Sequence, residues 1–455
     1  ANPAHKVKIN DGLTVSVEAC SESIFRIKVS PRKDFTESLM ERYELIKTDW
    51  SEVKTDISDK GGVWTLKTPV YSLAINKKTG VMTVKDAKGG KVIREVRFLP
   101  EKEGLCGEMR SFINEKYADL KVADNGGGII GDDNGKFGEV DKHEIPAADA
   151  VCILSFSMED GERFYGGGST SRDHIQHRGE FLRMWTTYQQ TEIPMPFMMS
   201  SRGWGVYNNS TRKSFFDIGN QQKSKFNIIN TFDEADFYLM MGKDMPAILN
   251  EYTLVTGRTY VLPKWAYGLC FGPNMREEQF DILNDAVRFR QFDVPCDVFW
   301  LEPQWMEKRY DFSTKKKWNY DRFSPEPYWL QDQYPKTMHN RLFIGKLRSM
   351  GFHLGLWLCE EYDLSIQEED IIAERTGGKL SGQEHWMDHL TVFMDQGVEG
   401  FKLDPARTID NHTNWEYYNG RTDKEMHNLN QVLLPKQMRE LGRKYNGKRT
   451  WHHYC

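Results

Sequence analysis

The sequence predicts an antiparallel β-sandwich over residues 1–245 followed by a parallel β/α assembly over residues 246–455. Three observations carry that prediction. The first half of the chain holds short runs that alternate apolar and polar residues between Gly, Asn and Asp clusters, the pattern of strands with one buried face. From Pro263 onward the strand-like runs are continuously apolar and alternate with helical stretches, the pattern of a parallel sheet buried on both faces. The length, 455 residues, also exceeds the ~150 residues of a typical single domain.

In the first domain, Leu13–Val29 and Val63–Ile75 alternate, and Lys77-Lys78-Thr79-Gly80 turns the chain into Val81–Val84. Asp86–Gly90 makes a further turn, and Asn125–Gly135 is a Gly/Asp/Asn-rich loop. That loop is no phosphate cradle, because G-K-[ST] and a following helix are both missing. In the second domain the predicted strands are Trp265–Phe271, Asp297–Leu301, His353–Leu358, Gly400–Leu403 and Arg449–Tyr454. The predicted helices are Glu277–Gln291, His339–Ser349, Gln383–Gln396 and Lys424–Tyr445. Five parallel strands are too few to close an eight-stranded barrel. Either the sheet is open, or the protein continues beyond Cys455; a chain end inside a buried strand leaves a raw edge, which favours continuation.

Composition narrows the function. A net charge of -5 and the absence of any long basic stripe argue against nucleic acid as a partner. The longest basic run, Lys315-Lys316-Lys317, reads as a solvated loop. No stretch of 18 apolar residues predicts a membrane span, and no signal peptide is read at the start. Seven scattered cysteines, Cys20, Cys106, Cys152, Cys270, Cys296, Cys359 and Cys455, suggest buried thiols rather than a disulfide framework or a metal site. The aromatic share of 13% suits sugar stacking but equally suits large sandwich and barrel cores.

Working residues of β/α barrels lie at the C-terminal ends of the strands. Those ends are Gly272-Pro273-Asn274, Glu302-Pro303-Gln304-Trp305, Glu360-Glu361-Tyr362-Asp363, Asp404-Pro405 and His453-Tyr454-Cys455. Acids and aromatics converging on one mouth fit a sugar, whose hydroxyls donate to carboxylates while rings cover its apolar face. A carboxylate-held Mg²⁺ is the other chemistry such acids serve. Within the acidic cluster, one of Glu360, Glu361 and Asp363 is expected in the site and the others in solvent. Trp305, beside the Glu302 turn, is placed against substrate; Trp300 and Trp357 suit barrel packing and a sugar platform equally. His452 and His453 are no metal pair, since adjacent strand residues point to opposite faces.

Gly400-Phe401-Lys402-Leu403-Asp404 resembles the nucleophile strand of glycoside hydrolase family 31, the family of α-glucosidases, α-xylosidases and α-galactosidases. Further segments resemble that family in the right order. They are Glu162–Gly168 (ERFYGGG), Tyr252–Gly257 followed by Leu262–Gly268 (LPKWAYG), Val294–Trp300 (VPCDVFW) and His427-Asn428-Leu429. The resemblance implies a (β/α)8 TIM barrel behind the sandwich, interrupted here after about five strands. It implies Asp404 as the nucleophile of a retaining α-glycoside hydrolase, with an acid/base Asp beyond Cys455. Glu302, Trp305, Lys402, Trp357, Glu360 and Cys455 are then the substrate-binding residues. The implied substrate is an oligosaccharide or glycoside, with no cofactor and no metal, and the implied location is periplasmic or secreted.

Departures from the family pattern point to a branch. Glu302 stands where glucosidases usually carry Asp, Lys402 where glucosidases often carry Trp and xylosidases often Lys, and Cys455 near a usual Arg. The D-x-x-E pattern reads Asp404-Pro405-Ala406-Arg407, without its Glu. Asp410 is read as a loop residue and not as the acid/base. Together these resemble an α-galactosidase branch, with α-glucoside or α-xyloside hydrolysis and a non-catalytic carbohydrate-binding relative as the alternatives.

Overall fold

The structure, a computed structural model, describes residues 2–9, 12–118, 145–170, 173–186, 193–273, 278–323, 343–360, 362–406 and 416–454, with the side chains of 404–406 and 454 outside that description. The described residues form two compact units. One holds residues 2–118, 145–259 and 424–429, and the other residues 260–423 and 430–454. The Gly/Asp/Asn-rich segment Asn125–Gly135 lies outside the described residues.

The first unit is a sandwich of two antiparallel sheets, of seven and nine strands. The seven-stranded sheet runs in the order His5–Lys8, Thr14–Ala19, Ile24–Ser30, Ala235–Met241, Trp204–Asn208, Ile193–Ser200, Phe164–Ser169. Alternation sends Val15, Val17, Phe25 and Ile27 inward, where they share one core with Leu154, Phe156, Phe226 and Ile228 of the nine-stranded sheet. The outer strand Asp56–Lys60 is exposed throughout and carries charges, which blunts an edge that would otherwise recruit other chains.

Three helices of this unit, among them the single turn Leu39–Arg42, were not read from the sequence. Gly104–Tyr117 buries Cys106, Met109, Ile113 and Tyr117, a stripe at helical spacing that packs with Ile153, Phe215 and Ile229. Met245–Thr256 starts at Asp244, whose carboxylate caps Ala247 N at 2.9 Å, and buries Ile248, Tyr252 and Val255. The glycines of the E-R-F-Y-G-G-G segment are sterically required. A Cβ on Gly166 would lie 2.4 Å from Phe197 O, and one on Gly168 2.1 Å from Ile193 O. Glu162 is buried there, taking Trp204 Nε1 at 3.0 Å and Glu159 N at 2.7 Å.

The second unit is a five-stranded parallel sheet with helical crossovers. Its strands, first to fifth, are Cys270–Phe271, Val298–Leu301, His353–Glu360, Gly400–Ala406 and Trp451–Tyr454, paired in sequence order. Val298–Leu301 is buried throughout, as a strand covered on both faces must be. The first strand is shorter than the run Trp265–Phe271 suggests, because Lys264–Tyr267 closes into a 3₁₀ turn after Pro263. The helix Ser365–Thr376 was not anticipated, and the helix expected at Gln383–Gln396 is a 3₁₀ turn, Trp386–Leu390, running into Thr391–Gln396.

The Trp300 ring fills the interior of this sheet. A Cβ on Gly355, its neighbour in register, would lie 1.9 Å from that ring, and a Cβ on Gly400 3.0 Å from it. Trp451 meets the ring edge-on at 5.1 Å. Trp300 is therefore packing, not a sugar platform.

Candidate active site

The site begins with strand order. In a parallel barrel sheet, alternate strands contribute side chains to one interior layer. The second and fourth strands are alternate, and their strand-end residues meet: Lys402 Nζ lies 3.5 Å from Glu302 Oε1. Both side chains keep about a fifth of their surface open, 21% and 24%. An ion pair this exposed contributes only ~0–1 kcal/mol to stability, so its value lies in holding two polar groups at one place.

The first strand adds two positions to the same place. Gly272 follows that strand, and a Cβ there would come within 3.7 Å of Glu302 Oε1. The Cys270 thiol is half-buried; burial raises its pKa to about 12, with the Lys402 charge opposing and the Glu302 charge adding to the rise. Cys270 was absent from the sequence-derived site, although it opens the first strand. The signal that could have found it is adjacency: the first strand pairs directly with the second, whose end carries Glu302.

Asp404 lies on the fourth strand, two positions beyond Lys402, within Gly400–Ala406; its side chain is outside the described atoms. Asn274, Glu361, Arg407, Asp410 and Cys455 also lie outside the described residues.

Of the expected substrate contacts, Trp305 is placed elsewhere, while Trp357 stands in register with Lys402 and Glu360 ends the third strand. Trp305 has no exposed surface: its Nε1 donates to Trp357 O at 2.7 Å, and its ring packs at 5.0 Å on Trp318 and 5.1 Å on Phe393 of the helical layer. The turn Pro303–Trp305 rotates it off the mouth and into the core, which corrects its assignment as a residue against substrate. Trp357 is 3% exposed and meets Tyr310 edge-on at 5.5 Å. Glu360 is fully buried at the end of the third strand, in register with Ala406. Asp363, partly exposed, takes Ser365 N and Oγ at 2.9 and 2.6 Å and Tyr418 N at 2.6 Å, so it also fixes the start of a helix.

Lys316 corrects the reading of the basic run as solvated. It is 6% exposed, donates to Ser313 O at 2.7 Å and lies over the Trp386 ring at 5.7 Å. Burial pushes its pKa down, against the nearby Cys359, Asp311 and Glu360, which raise it. Lys315, by contrast, is exposed and pairs with Glu384 at 3.1 Å. His452 and His453 face different surroundings: His452 accepts from Phe401 N at 3.3 Å, while His453 is exposed. Among the described residues, no cluster of His, Cys, Asp and Glu is arranged to hold a metal ion. The six described cysteines are all free thiols.

The glycosyl hydrolase 31 N-terminal galactose mutarotase-like domain matches residues 14–217, and the glycosyl hydrolases family 31 TIM-barrel domain matches residues 259–452. The chain belongs to glycoside hydrolase family 31. Among curated relatives, an α-xylosidase of Emericella nidulans is 22% identical over 70% of this chain and 43% of its own length. An α-xylosidase of Saccharolobus solfataricus is 27% identical over 65% of this chain and 40% of its own. The chain thus spans about two-fifths of the curated relatives it matches. Among solved structures, a Flavobacterium johnsoniae dextranase complexed with glucose superposes with a TM-score of 0.69 at 17% identity, over 100% of this chain and 54% of that one. A soil-metagenome α-xylosidase complexed with xylose gives 0.68 at 14% identity, over 100% and 65%. At such identities these two likenesses concern the fold.

Proposed function

We propose that the protein containing this chain is a retaining, exo-acting α-glycoside hydrolase with Asp404 as nucleophile. The observation that carries the reading is the Lys402–Glu302 pair at the strand ends, with Lys402 on the strand that holds Asp404 and Glu302 two strands away. In the first step the Asp404 carboxylate attacks the anomeric carbon, the glycosidic C–O bond breaks, and a second carboxylic acid protonates the departing oxygen. That acid is expected on a later strand, about 5–5.5 Å from the nucleophile as in other retaining pairs. Water then attacks the glycosyl-enzyme, giving its proton to the same group and releasing Asp404. Glu302 accepts from sugar hydroxyls, and Lys402 donates to a neighbouring oxygen while holding Glu302 in place.

Lys402 and the α-xylosidase names of several relatives favour an α-xyloside. A second reading, an α-galactoside, rests on Glu302, whose extra methylene relative to Asp moves the acceptor toward an axial hydroxyl. Turnover of a panel of nitrophenyl α-xyloside, α-galactoside and α-glucoside by the whole protein tests both. No hydrolysis of any of them overturns the enzymatic reading in favour of a carbohydrate-binding relative.

A further inference from the structure

The sandwich unit carries an open cavity of about 80 Å³ on a face remote in sequence from the strand-end residues. Its floor is polar although deeply buried. Asn208 and Asn230, 0% and 3% exposed, are joined by a bond of 2.8 Å from Asn208 Nδ2 to Asn230 Oδ1. Asn209 is locked beside them, donating to Asp236 at 2.8 Å and Ser38 Oγ at 3.1 Å and accepting from Tyr207 at 3.3 Å. Half-buried Phe232 forms part of the lining, with the Arg212 guanidinium 4.3 Å from its centroid.

Charge selects the ligand class. The acids lining the cavity already have cations of their own. Arg26 grips Asp236 through Nε and Nη2 at 2.9 and 2.6 Å, and Arg32 holds Glu234 while Thr36 N donates to it at 2.9 Å. A charged ligand therefore finds no uncompensated counter-charge. A neutral ligand rich in hydroxyls finds fixed amides and carboxylates beside a phenyl ring, with little reorganisation to oppose binding. The volume holds a few waters or the hydroxyl-bearing edge of one pyranose, the remainder of the sugar lying at the open mouth.

We propose that this cavity is a second saccharide-binding subsite, taking one neutral sugar unit of a longer chain through residues distinct from Glu302 and Lys402. The test uses the whole protein and isomaltotriose, followed by saturation-transfer NMR. Glu302→Ala weakens the strand-end site, so the part of the signal that survives it and depends on Thr211 or Phe232 reports a second site. Adding Thr211→Trp, which fills the cavity from its rim, is expected to cut the persisting signal at least fivefold with the thermal transition unchanged. Phe232→Ala reads the same loss should the bulky substitution prevent folding. Signal unchanged by both substitutions, or absent already in Glu302→Ala, overturns the proposal. A protein that hydrolyses no α-glycoside yet keeps the Thr211-sensitive signal refutes the enzymatic reading and leaves this one standing.

Discussion

Lys402 and Glu302, one hundred residues apart in sequence, meet at 3.5 Å across the strand that separates theirs. Because the pair is partly solvated, separating it should be felt in catalysis and hardly in folding. Lys402→Met and Glu302→Gln are each expected to lower kcat/KM about 10- to 100-fold, the value of one charge-assisted hydrogen bond. The Tm should move by no more than about 2–4 °C. A large loss of Tm with intact kcat/KM would make the pair a structural one.

Asp404→Asn should remove turnover of every α-glycoside by at least about 10³-fold, since an amide cannot serve as nucleophile and leaving group. An activated fluorosugar should leave a covalent adduct on the peptide carrying Asp404 in the wild type, read by mass spectrometry. An adduct on Glu302 or Glu360 would reassign the nucleophile. A raised KM with kcat intact would make Asp404 a binding residue.

Gly272 leaves the space beside Glu302 open: a methyl group at its Cα would stand 3.7 Å from the nearest carboxylate oxygen. Gly272→Ala fits that space and should be nearly silent. Gly272→Leu should displace the carboxylate and raise KM about tenfold or more with a smaller effect on kcat. Equal kinetics for the two variants would place Gly272 outside the site.

Trp305 should behave as core. Trp305→Ala is expected to cost about 3–5 kcal/mol through cavity formation. Trp305→Phe keeps most of the packing and loses the bond to Trp357 O, about 1 kcal/mol. Denaturant unfolding measures both, and KM for a small chromogenic glycoside should be unchanged in Trp305→Phe.

His452 gives an acid limb to stability. Burial lowers its pKa to about 4, below the ordinary 6.5, and its Nδ1 accepts from Phe401 N, which requires an unprotonated nitrogen. Below pH ~6.5 the unfolded chain takes up a proton that the folded chain refuses until about pH 4. Stability therefore falls as pH drops through that window and stops falling from this source beneath it. Glu399 adds to the same limb at lower pH. Although burial opposes it, the hydrogen bond and charge of His353 hold its pKa below the ordinary value, so its contribution disappears on protonation. His452→Gln should flatten the upper part of the limb in urea titrations run from pH 7 to pH 4.

Periodicity made the architecture legible. Alternation marked the sandwich strands, and continuous apolar runs marked Val298–Leu301 and His353–Glu360, because covering one face or two leaves a different residue pattern. What stayed hidden depended on partners distant in sequence. The helix Gly104–Tyr117 carries two weak helix formers, Gly104 and Gly107, and is decided by the sheet face it covers. Strand-end position found Glu302 and Lys402, but it could not tell that Trp305 turns back onto Phe393, or that Lys316 is held over Trp386. Strand order, which brings Cys270 near Lys402, is a property of the folded sheet that no single segment displays.

The interlock of Trp300 with Gly355 and Gly400 also constrains the routes by which this sequence can change. No methyl fits at Gly355 while the indole is present, so a lineage must shrink residue 300 before residue 355 can grow, passing through a stage with an unfilled interior. Gly400 answers to the same ring and, at 2.1 Å, to the Trp451 carbonyl as well, so shrinking the indole alone does not release it. The three positions are inherited as a unit, and a sequence recombined between residues 300 and 355 keeps its fold only if both parents share the same solution.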